Sequence, residues 1–105
     1  MGRWAQRRRA GGGNQSAALL AFMILAEENG TDVLEITYDR PINVADFNAE
    51  EFSVLPNSVV PASLTQLDPD TLSLIFEDAI TEEASLTYSG PNPHVASPQT
   101  IGVTH

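Results

Sequence analysis

Apolar residues recur at every second position along much of this chain, in short runs cut off by proline, glycine or clustered acids. In Asp32–Asp39, Leu34, Ile36 and Tyr38 point one way. Glu35, Thr37 and Asp39 point the other, and Val33 alone breaks the alternation. A period of two belongs to a strand with one face buried and does not suit an amphipathic helix. Pro41 ends the run, because proline has no N–H to give a ladder. Asn43–Glu51 is a polar connection in which Val44 and Phe47 act as plugs. Phe52–Leu55 is a second short strand, closed by Pro56 and Asn57; Val59 and Val60 extend it or open the next.

Ala62–Phe76 reads as a hairpin. Leu64–Leu67 leads into Asp68, Pro69 and Asp70, a turn with proline at its second position. Leu72, Leu74 and Phe76 return on one face. Glu77–Glu83 is an acidic bend around Ile80, Ala84–Tyr88 alternates again, and Thr100–Thr104 makes a last strand. About seven short strands with turn signals every eight to twelve residues predict an all-β, Greek-key β-sandwich. Its expected core is Leu34, Ile36, Tyr38, Phe47, Phe52, Val54, Leu64, Leu72, Leu74, Phe76, Leu86 and Tyr88, with part of the 19–25 run.

The 105 residues suffice for one domain. Cysteine is absent, which removes disulfides, thiol nucleophiles and thiolate metal sites. Lysine is absent too, which removes the phosphate-binding loop lysine and Schiff-base chemistry. The remaining charge is segregated. Arg3, Arg7, Arg8 and Arg9 give the first nine residues +4. Everything after them sets Arg40 against all 14 acids, a charge of −13 that brings the chain to −9. So negative a body repels phosphate and should not bind nucleic acid. The basic end suits nucleic acid, an anionic membrane or an acidic protein surface.

Residues 1–16 therefore read as a basic arm with a glycine hinge at Gly11–Gly13, and residues 17–105 as the folded domain. The apolar run Ala17–Ala26 raises a second reading, a secretory leader ending at Ala26. A polar, glycine-rich spacer and the bulky Ile24 speak against it. The run is also too short to span a bilayer, and Gln6 excludes a myristoylation site. Glu27 and Glu28 would sit badly at a helix C-terminus. Ser16 could cap a helix over this run and Asn29-Gly30 could end one, so helix and strand both stay open; the strand is favoured, because apolar residues on all sides suit an element buried on both faces.

Candidate chemistry is sparse. Asp68, Asp70, Glu77 and Asp78 could gather at one end of a sandwich and hold calcium, but turn chemistry already accounts for the aspartates. His94 and His105 lie in a polar stretch and read as exposed, ordinary histidines. No serine has a histidine at triad spacing. No catalytic residue, metal or cofactor is expected. The feature that reads as functional is Trp4 among Arg3, Arg7, Arg8 and Arg9, a composition found in interface anchors.

Asp32–Ile42 resembles the second strand of bacterial and phage immunoglobulin-like repeats: a long apolar strand, an aromatic residue, an acid and then proline. Asp46-Phe47 to Phe52–Val54, Thr71–Leu74, and Leu86–Tyr88 followed by Gly90-Pro91 are similar to the same repeats in the same order. The resemblance covers residues 20–91 and implies an all-β, immunoglobulin-like β-sandwich of about seven strands. The usual ending is absent, so His94–His105 falls outside it. The opening Met1–Gly13 also resembles the starts of small virion proteins of tailed bacteriophages. These resemblances imply a non-enzymatic capsid decoration or cement protein on the virion surface. Its partner would be an acidic face of the major capsid protein, reached through Arg3, Trp4, Arg7, Arg8 and Arg9, and it could form a homo-oligomer such as a trimer. Membrane contact is not expected. A tail or neck component, or a surface adhesin with residues 1–26 as leader, are the alternatives.

Overall fold

A computed structural model describes the chain from Leu19 to His105. Seven strands follow one another: β1 (Met23–Glu28), β2 (Val33–Tyr38), β3 (Phe52–Leu55), β4 (Ser63–Asp68), β5 (Thr71–Ile75), β6 (Ser85–Tyr88) and β7 (Gln99–Thr104). Among the described residues there is no α-helix, and so none long and apolar enough to cross a membrane. Two 3-10 turns, Val44–Asp46 and Ala49–Glu51, lie between β2 and β3.

The strands form a curled mixed sheet in the order β3-β6-β7-β1-β2-β5-β4. All neighbours are antiparallel except β1 and β7. That parallel contact is short, Ala26 opposite Val103 and Glu27 opposite Thr104. Up to Gly102, β7 pairs with β6; beyond it β7 pairs with β1. The sheet therefore has a four-strand part, β1-β2-β5-β4, and a three-strand part, β3-β6-β7.

Both parts contribute to one apolar cluster. Leu34, Ile36, Leu72 and Leu74 come from the first, and Phe52, Val54, Leu86 and Tyr88 from the second. The alternation read in β2 holds: Leu34, Ile36 and Tyr38 are buried, and their strand neighbours are half-buried. Register follows from it, with Leu34 facing Leu74 and Ile36 facing Leu72. Four rings pack within the cluster. Phe47 stands between Tyr38, Phe52 and Tyr88 at centroid distances of 5.9, 5.7 and 5.5 Å.

Two core expectations are corrected. Leu64 is only half-buried, because β4 is an edge strand with β5 as its single strand partner. Of the run Ala17–Ala26, Met23–Ala26 lie in β1, which is a strand buried on one face only; Ala17 and Ala18 lie outside the described residues. Ala21, Met23 and Ala26 enter the core, whereas Leu19, Phe22, Ile24 and Leu25 are 69, 50, 59 and 41% exposed. A register shift between Met23 and Leu25 turns both Ile24 and Leu25 outward. Ile80 and Val95 join the core from segments where no apolar period announces them.

The Tyr38 hydroxyl is buried without a hydrogen-bond partner among the described residues. Burial first, and then neighbouring Tyr88, push its pKa well above the ordinary tyrosine value. Deleting an unpaired buried hydroxyl removes a desolvation cost and no bond. Tyr38→Phe is therefore expected to keep full stability or gain up to about 1 kcal/mol in urea unfolding. A loss of more than that amount would mean the hydroxyl has a partner.

Candidate functional site

The cleft that stands out among the described residues has a volume of about 290 Å³. One wall is the β2–β3 connection, through Pro41, Ile42, Asn43 and Asp46; the other is the β6–β7 connection, through Asn92, His94 and Val95. The first wall is anchored to the β4–β5 hairpin. The Ile42 N–H donates to the Pro69 carbonyl at 2.8 Å. The Gln66 amide accepts from Val44 N–H at 3.0 Å and donates to the Ile42 carbonyl at 2.8 Å. Asn43 Oδ1 then caps the first 3-10 turn by accepting from Ala45 N–H at 3.0 Å.

The second wall is held by the segment leading into β1. Ala21 donates to the His94 carbonyl at 2.9 Å and accepts from Ala96 N–H at 3.0 Å. Gln99 fills the gap between β1 and β7 as a side-chain stand-in for a peptide group. Its Oε1 accepts from Met23 N–H at 2.8 Å, and its Nε2 donates to the Ala21 and Ala96 carbonyls at 3.2 and 2.8 Å. Asn92 is 7% exposed, and its Oδ1 accepts from His94 N–H at 2.8 Å. That bond fixes which end of the amide is oxygen. Asn43, Asp46, Asn92 and His94 give the cleft its polar lining, and Pro41, Ile42 and Val95 its apolar lining. No hydrogen bond or ion pair joins Asp46 to His94.

Arg3, Trp4, Arg7, Arg8 and Arg9 lie outside the described residues, as does the proposed arm boundary at residue 16. Arg40, the one cation of the body, is bound locally. Its Nε lies 3.1 Å from Asp39 Oδ1, and among the described residues the one other acid with a basic partner is Glu28, beside His105. Hydrogen bonds from Arg40 and then from Phe22 N–H hold the Asp39 carboxyl below its ordinary range.

The four acids considered for calcium do not come together. Asp68 and Asp70 flank the turn at the start of β5, whereas Glu77 and Asp78 lie beyond its other end. Among the described residues no group of three or more acids and histidines could hold a metal.

His94 is exposed, as expected. His105 is not the ordinary histidine expected from its polar surroundings. Its Nδ1 lies 2.8 Å from Glu28 Oε1, and its Nε2 bonds to the Glu83 carbonyl. Two acceptors facing both ring nitrogens require two N–H groups, which only the imidazolium has. The Glu83 bond, followed by the Glu28 bond, raises the His105 pKa above its ordinary value. This contribution to stability is complete below the unfolded value of about 6.5 and is lost as pH rises through the higher folded value. His105→Ala is expected to flatten stability across that interval, and an NMR titration of His105 should give a midpoint above about 6.5. A midpoint at or below about 6.5 would refute the double bond.

Two buried polar residues had no signal in the sequence. Glu83 is 2% exposed within an acidic run that reads as solvated, and Asn92 sits in a proline-rich loop. Only their partners, distant in the chain, distinguish them. In comparisons with known proteins, no family model, no curated protein and no solved structure matches this chain.

Proposed function

We propose that the chain is a non-enzymatic structural protein of a tailed-phage virion, a capsid decoration or cement subunit. An immunoglobulin-like bead carries a basic arm that docks on an acidic face of the major capsid protein. The observation that carries this reading is the separation of charge. All 14 acids lie in a body whose single arginine is already bound to Asp39, and the other four arginines surround Trp4 at the opposite end of the chain. A compact acidic body resists non-specific clustering, while guanidinium groups beside an indole favour a carboxylate-rich surface.

The strand arrangement supports the immunoglobulin-like part. A four-strand group and a three-strand group sharing one core correspond to the two layers of such sandwiches. The leader reading loses support, because cleavage after Ala26 would remove Ala21, Met23 and Ala26 from the core and most of β1 from β2.

Reversing the arm charges (Arg3→Glu, Arg7→Glu, Arg8→Glu, Arg9→Glu) is expected to weaken binding to particles at least about a hundredfold, at about tenfold for each 1.4 kcal/mol lost. The melting temperature of the body should not change. Gradient co-sedimentation with particles lacking the chain measures the first, and circular dichroism the second. Undiminished decoration by the reversed variant would overturn the arm's role. A mature chain that begins at Glu27 would overturn the virion reading in favour of secretion.

A further inference from the structure

The outward face of β1 is apolar and then abruptly acidic. Phe22, Ile24 and Leu25 are 50, 59 and 41% exposed, and Leu19 just before them is 69% exposed. Two positions after Leu25 comes Glu27, directly opposite Glu35 on β2. Like charges facing each other across a ladder repel. Glu35 has an amide donor, Asn29 Nδ2 at 2.6 Å, but no cation lies on either carboxylate among the described residues. This face needs a partner that brings a large apolar group and positive charge together.

The chain contains such a segment. Residues 1–18 carry Trp4 and four arginines and no acid. We propose that the N-terminal segment of one copy docks on the β1–β2 face of a second copy, with Trp4 against Phe22, Ile24 and Leu25 and arginines against Glu27 and Glu35. The inference rests on the reading of the arm as a grip for acidic surfaces, and it names the neighbouring subunit as one such surface.

With the turn placed at the glycine hinge read from the sequence, length favours a second copy over the same chain. A fold-back about Gly11–Gly13 sets Arg7, Arg8 and Arg9 opposite residues 17, 16 and 15, and Arg3 opposite Ala21. Even Arg3 then falls about 20 Å short of Glu27, at about 3.3 Å per residue. A segment arriving from a neighbour meets no such restriction. Because the segment and the face are different surfaces, the contact is head-to-tail and yields a closed ring or an open chain.

Sedimentation velocity of the full-length chain over a range of concentrations tests this. In about 0.05 M salt the mass should rise with concentration, and in about 0.5 M salt it should return to the monomer, since screening removes the ion pairs. Arg7→Glu/Arg8→Glu/Arg9→Glu and Glu27→Arg/Glu35→Arg should each weaken association at least tenfold. An equimolar mixture of the two variants should regain it, because a reversed segment then meets a reversed face. A chain that stays monomeric up to about 1 mM in low salt, or association untouched by both reversals, would overturn the proposal. So would a mixture of folded variants that fails to associate. Particle binding by a strictly monomeric chain would overturn this inference and leave the capsid role standing. Self-association without particle binding would do the reverse.

Discussion

Phe47→Ala is expected to unfold about 15 °C or more below the wild-type chain, a loss of about 3–5 kcal/mol. Phe47 lies in a polar connection, yet it is 5% exposed and touches three other rings. Tyr38 comes from the four-strand part, and Phe52 and Tyr88 from the three-strand part, so removing the ring opens a cavity where the two halves of the sheet meet. Surrounding side chains cannot close it, because Phe52 and Tyr88 already pack on each other at 5.0 Å. Natural domains hold about 5–15 kcal/mol in total, so this one change removes a large share. Phe47→Leu keeps most of the volume and should cost less than about 2 kcal/mol. The cleft should respond as well, since neighbouring Asp46 lines it and Phe47 N–H closes the 3-10 turn on the Val44 carbonyl at 3.1 Å. A loss below about 1 kcal/mol for the alanine variant would show that the ring is not packed as described.

Glu83→Ala should cost about 2–4 kcal/mol. Glu83 Oε1 accepts from Asn57 N–H at 3.0 Å, and Oε2 accepts from Asn57 Nδ2. These bonds hold the turn after β3, where Ser58 has a φ of 58°. Ser58 is not a glycine, so that left-handed backbone carries strain that the flanking contacts must offset. The same segment ties in the end of the chain: Ala84 N–H donates to the Leu55 carbonyl at 2.7 Å, and the Glu83 carbonyl accepts from His105. Truncation removes both bonds to Asn57 and the packing of a buried side chain, and it loosens the turn; exposed Asn57 turns its donors to water. Glu83→Gln should cost about half as much. Its oxygen can still accept from Asn57 N–H, but its NH₂ faces another NH₂ until Asn57 turns its amide over. Equal melting temperatures for wild type and Glu83→Ala would refute the clamp.

Much of the fold was legible because the core residues of β2, β3, β5 and β6 lie on period-two faces ended by proline or paired aspartates. Leu34, Ile36 and Tyr38 announce one face, and Pro41 and Pro56 mark the ends of β2 and β3. Ile80 and Val95 are single apolar residues in polar stretches, so no period could reveal them. The run ending in β1 misled in a different way. An unbroken apolar stretch looks the same whether a second layer covers it or a binding surface begins there. The cleft was not legible, since its two walls lie about 50 positions apart and meet only once β1 and Gln99 have fixed the β6–β7 connection. Nor was the pinning of His105, whose two acceptors stand 77 and 22 positions away.

In the proposed role the first thirteen residues grip an acidic neighbour while the acidic body projects from it. Amide hydrogen exchange read residue by residue over 1–13, in the free chain and in the chain bound to intact particles, tests this. Slowing of exchange around Trp4 and Arg7–Arg9 by at least about tenfold on the particle, reversed in high salt, is the expected result. Exchange at those positions that is equally fast in both states would contradict it.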